Sequence, residues 1–447
     1  METTLNPHLA LCLPEIISHI FSFLVPAHTG EELKKKMYVD LYPCLIVNRL
    51  WHDNSSRIIW RKAFFEDTKD DLDTFLKFAS VIYNASSTSS INNTISAASA
   101  LAIGDAESGN HNPFFTNPFE NLPPPLLLNY PSRSSSISSV SSSLVKTPSE
   151  YSLNEDDENT DYLSEDRVWN KKLISADSRF AEDMDNHYQS TLTKLDTAAR
   201  LTTYRNALRY LCIRKIKEKS VNEPLSRIGE HASKLEHLDI YICDHFSNEA
   251  LYPFLAHQSL TYLSLAGCHN ITDEAILKVA EYCKRLEHLD LRACGLVSDV
   301  SLSAIALNCP RLRHLNVGRI RDREKVSMKS IALIAEFTQA AVLGLAGCDI
   351  DDGCMQVLAK YRTTGLERVS VNSCFKISNE TVYAYIRYCP NLSVFEMKEC
   401  HQVNDWEAVA ELVNRKVLLT LCDQQNRACA DWARIRGRTL DVKAPLK

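Results

Sequence analysis

Apolar residues recur through the second half of the chain in one frame: apolar, two residues, apolar, one residue, apolar, two residues, then most often cysteine. Leu260-Thr-Tyr-Leu263-Ser-Leu265-Ala-Gly-Cys268 aligns with Leu286-Glu-His-Leu289-Asp-Leu291-Arg-Ala-Cys294 and with Leu366-Glu-Arg-Val369-Ser-Val371-Asn-Ser-Cys374. The frame returns at Leu235/Leu238/Ile240/Cys243, Leu312/Leu315/Val317/Ile320, Ala340/Leu343/Leu345/Cys348 and Leu392/Phe395/Met397/Cys400, with a weaker first copy at Leu208/Leu211/Ile213/Ile216. Successive copies start 25 to 28 residues apart, a register that chance does not hold through so many copies.

Each copy predicts one structural unit. The alternating apolar pair is a short strand with both side chains facing inward, and the cysteine slot turns inward just after it. A polar turn follows, and Thr272-Asp273-Glu274, Ser298-Asp299 and Ser378-Asn379-Glu380 supply N-caps for a helix. One unit cannot bury its own apolar face, but stacked units can. The expected architecture over 206–447 is therefore α/β: a leucine-rich-repeat solenoid, a curved parallel sheet backed by helices, closed by a C-terminal cap.

Upstream the pattern changes. Leu13, Pro14, Ile16, Ile17, Ile20, Phe21 and Leu24 belong to one amphipathic helix, with proline in the first turn where its missing N–H is not needed. A second segment runs Leu45-Ile-Val-Asn-Arg-Leu-Trp51, then Ile58-Ile59-Trp60 and Phe64-Phe65, giving a small all-α domain over 8–66. Residues 84–166 are rich in Ser, Asn and Pro, lack hydrophobic periodicity and are expected to be disordered. Residues 168–205 read as a helical lead-in to the repeats.

Composition narrows the function classes. A net charge of −6 gives no basic balance for nucleic acid. No stretch approaches the ~18 apolar residues of a membrane helix. The start, Met1-Glu2-Thr3-Thr4, lacks a signal-peptide pattern, so an intracellular protein is expected. The 15 cysteines include no CxxC pair and mostly follow the repeat, so they read as small packing residues. With 12 glycines and no nucleophile elbow, phosphate loop or HExxH motif, neither an enzyme nor a cofactor is expected.

The repeats resemble the cysteine-containing leucine-rich repeats of F-box proteins, and the Leu13–Leu24 and Val47–Trp60 segments resemble an F-box. The connection from Pro26 to Lys36 is longer than the usual F-box turn. With the ending Asp431-Trp-Ala-Arg-Ile-Arg-Gly-Arg438, the whole resembles a fungal family of antagonists of the mitotic exit network. That resemblance implies a cell-cycle regulator, cytoplasmic and nuclear, acting in the mitotic checkpoint and daughter-cell separation. It implies either a substrate receptor of an SCF-type ubiquitin ligase, docking a Skp1-type adaptor through Leu13, Pro14, Ile16, Ile17, Ile20, Phe21 and Leu24, or a stoichiometric inhibitor of a Ras-like GTPase.

Strand alternation places three rows of side chains on the concave face. The residues expected to contact a partner are Tyr241, Tyr262, His288, Asp290, Arg292, His314, Arg368, Asn372 and Lys398, because Tyr and Arg are favoured at binding hot spots. His288 and His314 are expected to be neighbours, but only Asp290 is available as a third ligand, so no metal site is expected. Candidate modification sites are Thr147, followed by proline, and Ser136, three residues after Arg133. A duplicated Asn-Pro-Phe at 112–114 and 117–119 is a further short signal, of a kind that docks endocytic adaptors elsewhere.

Overall fold

A computed structural model describes residues 9–25, 41–66, 69–84 and 191–445. They belong to one compact unit built from Met1–Ile91 and Leu163–Lys447; a second unit, Asn92–Tyr162, contains none of them. Of the stretch expected to be disordered, 84–166, Asn84 ends a helix and the rest lies outside the described residues, as do the Asn-Pro-Phe pair, Ser136, Thr147, the Pro26–Lys36 connection and most of the lead-in.

The N-terminal region is helical: α1 (Pro14–Leu24), α2 (Arg49–Ile59), α3 (Lys69–Asn84) and α4 (Thr191–Ala207). Asn48 caps α2 by accepting from Trp51 N at 3.0 Å. Between α2 and α3 the chain is a strand, β1 (Lys62–Glu66), which corrects the all-α expectation for 8–66. This strand lies parallel to β2 (Tyr210–Arg214), pairing Phe64 with Cys212. Trp60, Ala63 and Phe65 are buried and occupy the same three slots as Leu208, Leu211 and Ile213. The N-terminal region is thus continuous with the solenoid: its last segment is the first rung of the sheet.

The sheet continues through β3 (His237–Tyr241), β4 (Tyr262–Ser264), β5 (His288–Asp290), β6 (His314–Asn316), β7 (Val342–Gly344), β8 (Arg368–Ser370), β9 (Val394–Glu396) and β10 (Leu418–Thr420). Among the described residues all ten strands follow in sequence order, and each pairs in parallel with the next. Between them run α5 (Asn222–His231), α6 (Asn248–Leu255), α7 (Asp273–Tyr282), α8 (Asp299–Asn308), α9 (Met328–Phe337), α10 (Asp352–Arg362), α11 (Asn379–Tyr388) and α12 (Trp406–Asn414). A final helix, α13 (Asp423–Ile435), follows β10. The parallel sheet backed by helices is the fold that the repeat frame predicts.

Two devices hold one repeat to the next. The slot cysteines are buried, and their thiols reach carbonyls of the preceding repeat: Cys268 to Ile240 at 3.4 Å, Cys294 to Leu265 at 3.1 Å and Cys400 to Val371 at 3.1 Å. Burial pushes the Cys294 thiol up to about 12, so it stays protonated and can donate. On the helical side, Asp299 at the start of α8 accepts from Ser327 N, Ser327 Oγ and Ser330 Oγ at the start of α9, at 2.9, 2.5 and 2.6 Å. Asp273 grips Ser298 and Ser301 in the same way, and Asp352 grips Ser378 and Thr381. Ser298 and Ser378 cap their helices as expected, whereas the Thr272 hydroxyl accepts from the Asn248 amide instead.

One slot assignment is overturned. Ile320, read as the inward residue of the fifth copy, is 86% exposed, and the preceding Arg319 is the buried one. This repeat is two residues longer than its 26-residue neighbours, and after Val317 the inward side chain is that of Arg319.

Candidate functional site

The pairing register brings His237, Tyr262, His288 and His314 side by side on adjacent strands, as their spacing predicts. Their rings stack face to face, with centroids 3.6 Å (His237–Tyr262), 3.9 Å (Tyr262–His288) and 3.9 Å (His288–His314) apart. Tyr210 extends the ladder on β2, 5.2 Å from His237, and Lys62 on β1 places its Nζ 5.0 Å from the Tyr210 ring. The planes therefore stand across the strand-to-strand direction. Five aromatic rings on consecutive strands make an amphipathic ribbon of the kind enriched at protein interfaces.

Electrostatics permits the stack only with neutral imidazoles. Burial drives the His237 ring down to about 4, and burial with the neighbouring His314 and His237 drives His288 down to about 3. His314 is lowered as well, again by burial. Near pH 6.5 the unfolded chain takes up protons that these stacked rings refuse. The ladder's contribution is therefore complete above about pH 6.5 and is lost as pH falls toward 4. Thermal unfolding is expected to show this loss, and His288→Phe, which keeps a flat ring without a titrating group, to flatten the profile. An unchanged slope in the variant would contradict the assignment.

Beneath the ladder the middle row is sheltered by its neighbours. Asp239, Ser264 and Asp290 are all buried. Each carboxylate is met by an arginine leaning back over it: Arg214 Nη2 lies 3.1 Å from Asp239, and Arg292 Nη2 lies 2.7 Å from Asp290, whose carboxylate also accepts from Arg292 Nε at 2.9 Å. Further along, Arg368 pairs with Glu396, which also accepts from the Asn372 amide at 3.2 Å. Asp290, expected to touch a partner, is 5% exposed and pairs with Arg292. Tyr262, His288, His314, Arg368 and Asn372 are half-buried on this face, Tyr241 likewise, and Arg292 and Lys398 are exposed.

The ribbon ends abruptly at β7, whose outward residues Val342, Gly344 and Ala346 are all small. A side chain at 344 would have to displace the Asn316 amide, which lies 2.4 Å from where its Cβ would stand. This face of the sheet therefore consists of an aromatic half, a strand of smaller residues and a polar half with paired charges. Sequence reasoning missed Tyr210 and Arg214 as members of this face. Both sit in the alternation of the weak first copy, so the frame itself carried the signal.

A second surface lies on α1. The residues expected to dock an adaptor divide in two: Ile17 and Phe21 are completely buried, with Phe21 edge-on to Trp51 at 5.3 Å. Leu24 is partly buried, while Leu13, Pro14, Ile16 and Ile20 are exposed. Phe23, not expected, is 75% exposed, and Ile46 and Val47 are also exposed apolar residues of this region. Among the described residues no group of three or more His, Cys, Asp or Glu is placed to hold a metal, and no helix is long and apolar enough to cross a membrane.

No family model matches the chain. It is 40% identical over 178 residues to antagonist of mitotic exit network protein 1 of Yarrowia lipolytica, covering 39% of this chain and 24% of that protein. The protein of the same name from Eremothecium gossypii is 34% identical over 210 residues, covering 45% of this chain and 53% of the relative. That from Saccharomyces cerevisiae is 32% identical over 185 residues, covering 41% and 33%. The chain thus spans from about a quarter to about half the length of these relatives. Among solved structures, the crystal structure of the Rad7 and Elc1 complex in yeast aligns with a TM-score of 0.41 and 16% identity, covering 52% of this chain and 59% of that chain.

Proposed function

We propose, for a chain that belongs over some two fifths of its length to the family of antagonist of mitotic exit network protein 1, that it is a non-enzymatic negative regulator of mitotic exit, working by binding another protein on its concave face. The single observation that carries this reading is the aromatic ladder from Tyr210 to His314. A half-buried run of stacked rings, flanked by arginines already paired with buried carboxylates, is preorganised for protein contact. The partner proposed is a Ras-like GTPase of the mitotic exit network, met in the cytoplasm and nucleus. Tyr262→Ala and Tyr241→Ala are expected to weaken binding of that purified GTPase at least tenfold while unfolding stays cooperative. Unchanged affinity in both variants would remove the concave face from the reading.

The exposed apolar residues of α1 favour the receptor form of this function, in which a Skp1-type adaptor docks on Leu13, Ile16, Ile20 and Phe23. The triple change Ile16→Asp, Ile20→Asp, Phe23→Asp is expected to abolish co-purification with Skp1 and leave thermal stability nearly unchanged, because none of the three is in the core. If the unaltered chain holds no Skp1, the ligase reading fails. A stoichiometric inhibitor acting through the concave face alone then stands in its place.

A further inference from the structure

The connection Arg319–Lys325, between β6 and α9, is longer than those of the neighbouring repeats, yet it is fastened at several points. Arg319 is 5% exposed. Its Nη1 donates to Val297 O at 3.2 Å and Asp322 O at 3.3 Å, and its Nε to Val317 O at 3.3 Å. Its Nη2 is buried without a hydrogen bond. Lys325 Nζ reaches back to Gly295 O at 2.8 Å, in the connection of the preceding repeat. Arg323 reaches forward past the next repeat, donating to Ser373 O at 2.9 Å and lying 4.6 Å from the Phe375 ring. The neighbours are shaped to receive the loop. A Cβ at Gly347 would lie 1.9 Å from Arg319 O, and one at Gly295 would lie 3.3 Å from Asp322 Oδ2.

A solvated spacer needs none of this. Burying a guanidinium with one nitrogen unsatisfied is unfavourable, and it persists only where surrounding contacts over-determine the geometry. What the fastening holds in place is the tip. Ile320 is 86% exposed, the largest exposure among the large apolar side chains described, and the adjacent Arg321 is exposed with no ion pair among the described residues. Phe375, beneath Arg323, is 51% exposed. A rigid projection carrying a β-branched apolar residue and an unpaired arginine has its conformational entropy already spent before contact.

We propose that Arg319–Lys325 is a protein-docking projection separate from the concave face, in which Ile320 enters an apolar pocket whose rim carries carboxylates that pair with Arg321. The inference goes beyond the function proposed above and does not depend on it. The occupant is acidic because Arg319–Lys325 carries four basic residues against two acidic ones, Asp322 and Glu324, and apolar at its centre because an isolated exposed isoleucine gains only by leaving water.

The test uses the full chain with a photoreactive benzophenone side chain at position 320, and the same group at exposed position 361 on α10 as control. Adducts formed in yeast extract are mapped to partner residues by mass spectrometry. The expected result is enrichment at 320 over 361, on a partner segment with apolar residues flanked by at least two carboxylates. Arg321→Glu is expected to reduce that adduct at least fivefold, and changing the mapped carboxylate to lysine to restore it. Equal labelling from both positions, adducts on segments without carboxylates, or indifference to Arg321→Glu would each overturn the proposal. Ile320 and Arg321 lie outside the core, so loss through misfolding is separable by thermal unfolding of the same variants.

Discussion

Gly347→Ala is expected to destabilise the chain by about 3 kcal/mol or more, as a side chain forced against backbone in an over-determined site. Two effects add. The residue has φ +70°, where an L side chain costs about 1 kcal/mol. The new methyl would also lie 1.9 Å from Arg319 O, and neither backbone is free to yield. Arg319 N donates to Ala346 O and Gly347 N to Asn372 O, both at 2.8 Å, so relief on one side breaks the ladder on the other. Gly437→Ala separates the two effects, because its φ is +65° and nothing lies within 4 Å of its would-be Cβ. Urea unfolding should show a loss of only about 1 kcal/mol there. Equal losses at the two glycines would mean that space at 347 is not limiting.

Asp299→Ala is expected to cost about 2 to 4 kcal/mol, since it removes three hydrogen bonds, two of them from hydroxyls, to one carboxylate. Ser330 is fully buried, so its hydroxyl loses a partner without gaining water. The carboxylate also stands at the start of α8, where the helix dipole favours it. Because solenoid repeats are stabilised mainly by their neighbours, the effect should be local: hydrogen exchange should accelerate first in α9 and spread from there. Asp299→Asn, which keeps an acceptor, should recover part of the loss. A uniform rise in exchange along the whole chain would argue against a clamp between these two repeats.

The solenoid was legible because three apolar slots and a small residue must all face inward in each unit, and such a constraint repeats. Its two end strands were not. At β1, Trp60, Ala63 and Phe65 satisfy the frame, but no cysteine follows and the long intervening sequence hides the periodicity. At β10 the first slot falls on Lys416, whose φ of +63° marks a turn rather than an inward residue. In α1 the pattern showed a wide apolar stripe without telling which half meets the core, since Ile16 and Ile17 are equivalent in hydropathy and opposite in burial. On the concave face, alternation found the rows. It could not show that Asp290 would be roofed by its neighbours, because depth on a sheet face depends on how the surrounding side chains lie over it, as Arg292 does here.

The pairing of β1 with β2 has a consequence for what holds the first rung in place. Its partners are roughly 150 residues apart in sequence, yet the entropy of closing such a span grows only with the logarithm of its length. Doubling the connection changes stability by about 0.6 kcal/mol, less than removing one buried CH₂ group at about 0.8 kcal/mol. The sequence distance between the two strands is therefore a minor term in the stability of their pairing. The first rung is held by what its strands bury, Trp60, Ala63 and Phe65 against Leu208, Leu211 and Ile213, and not by nearness along the chain.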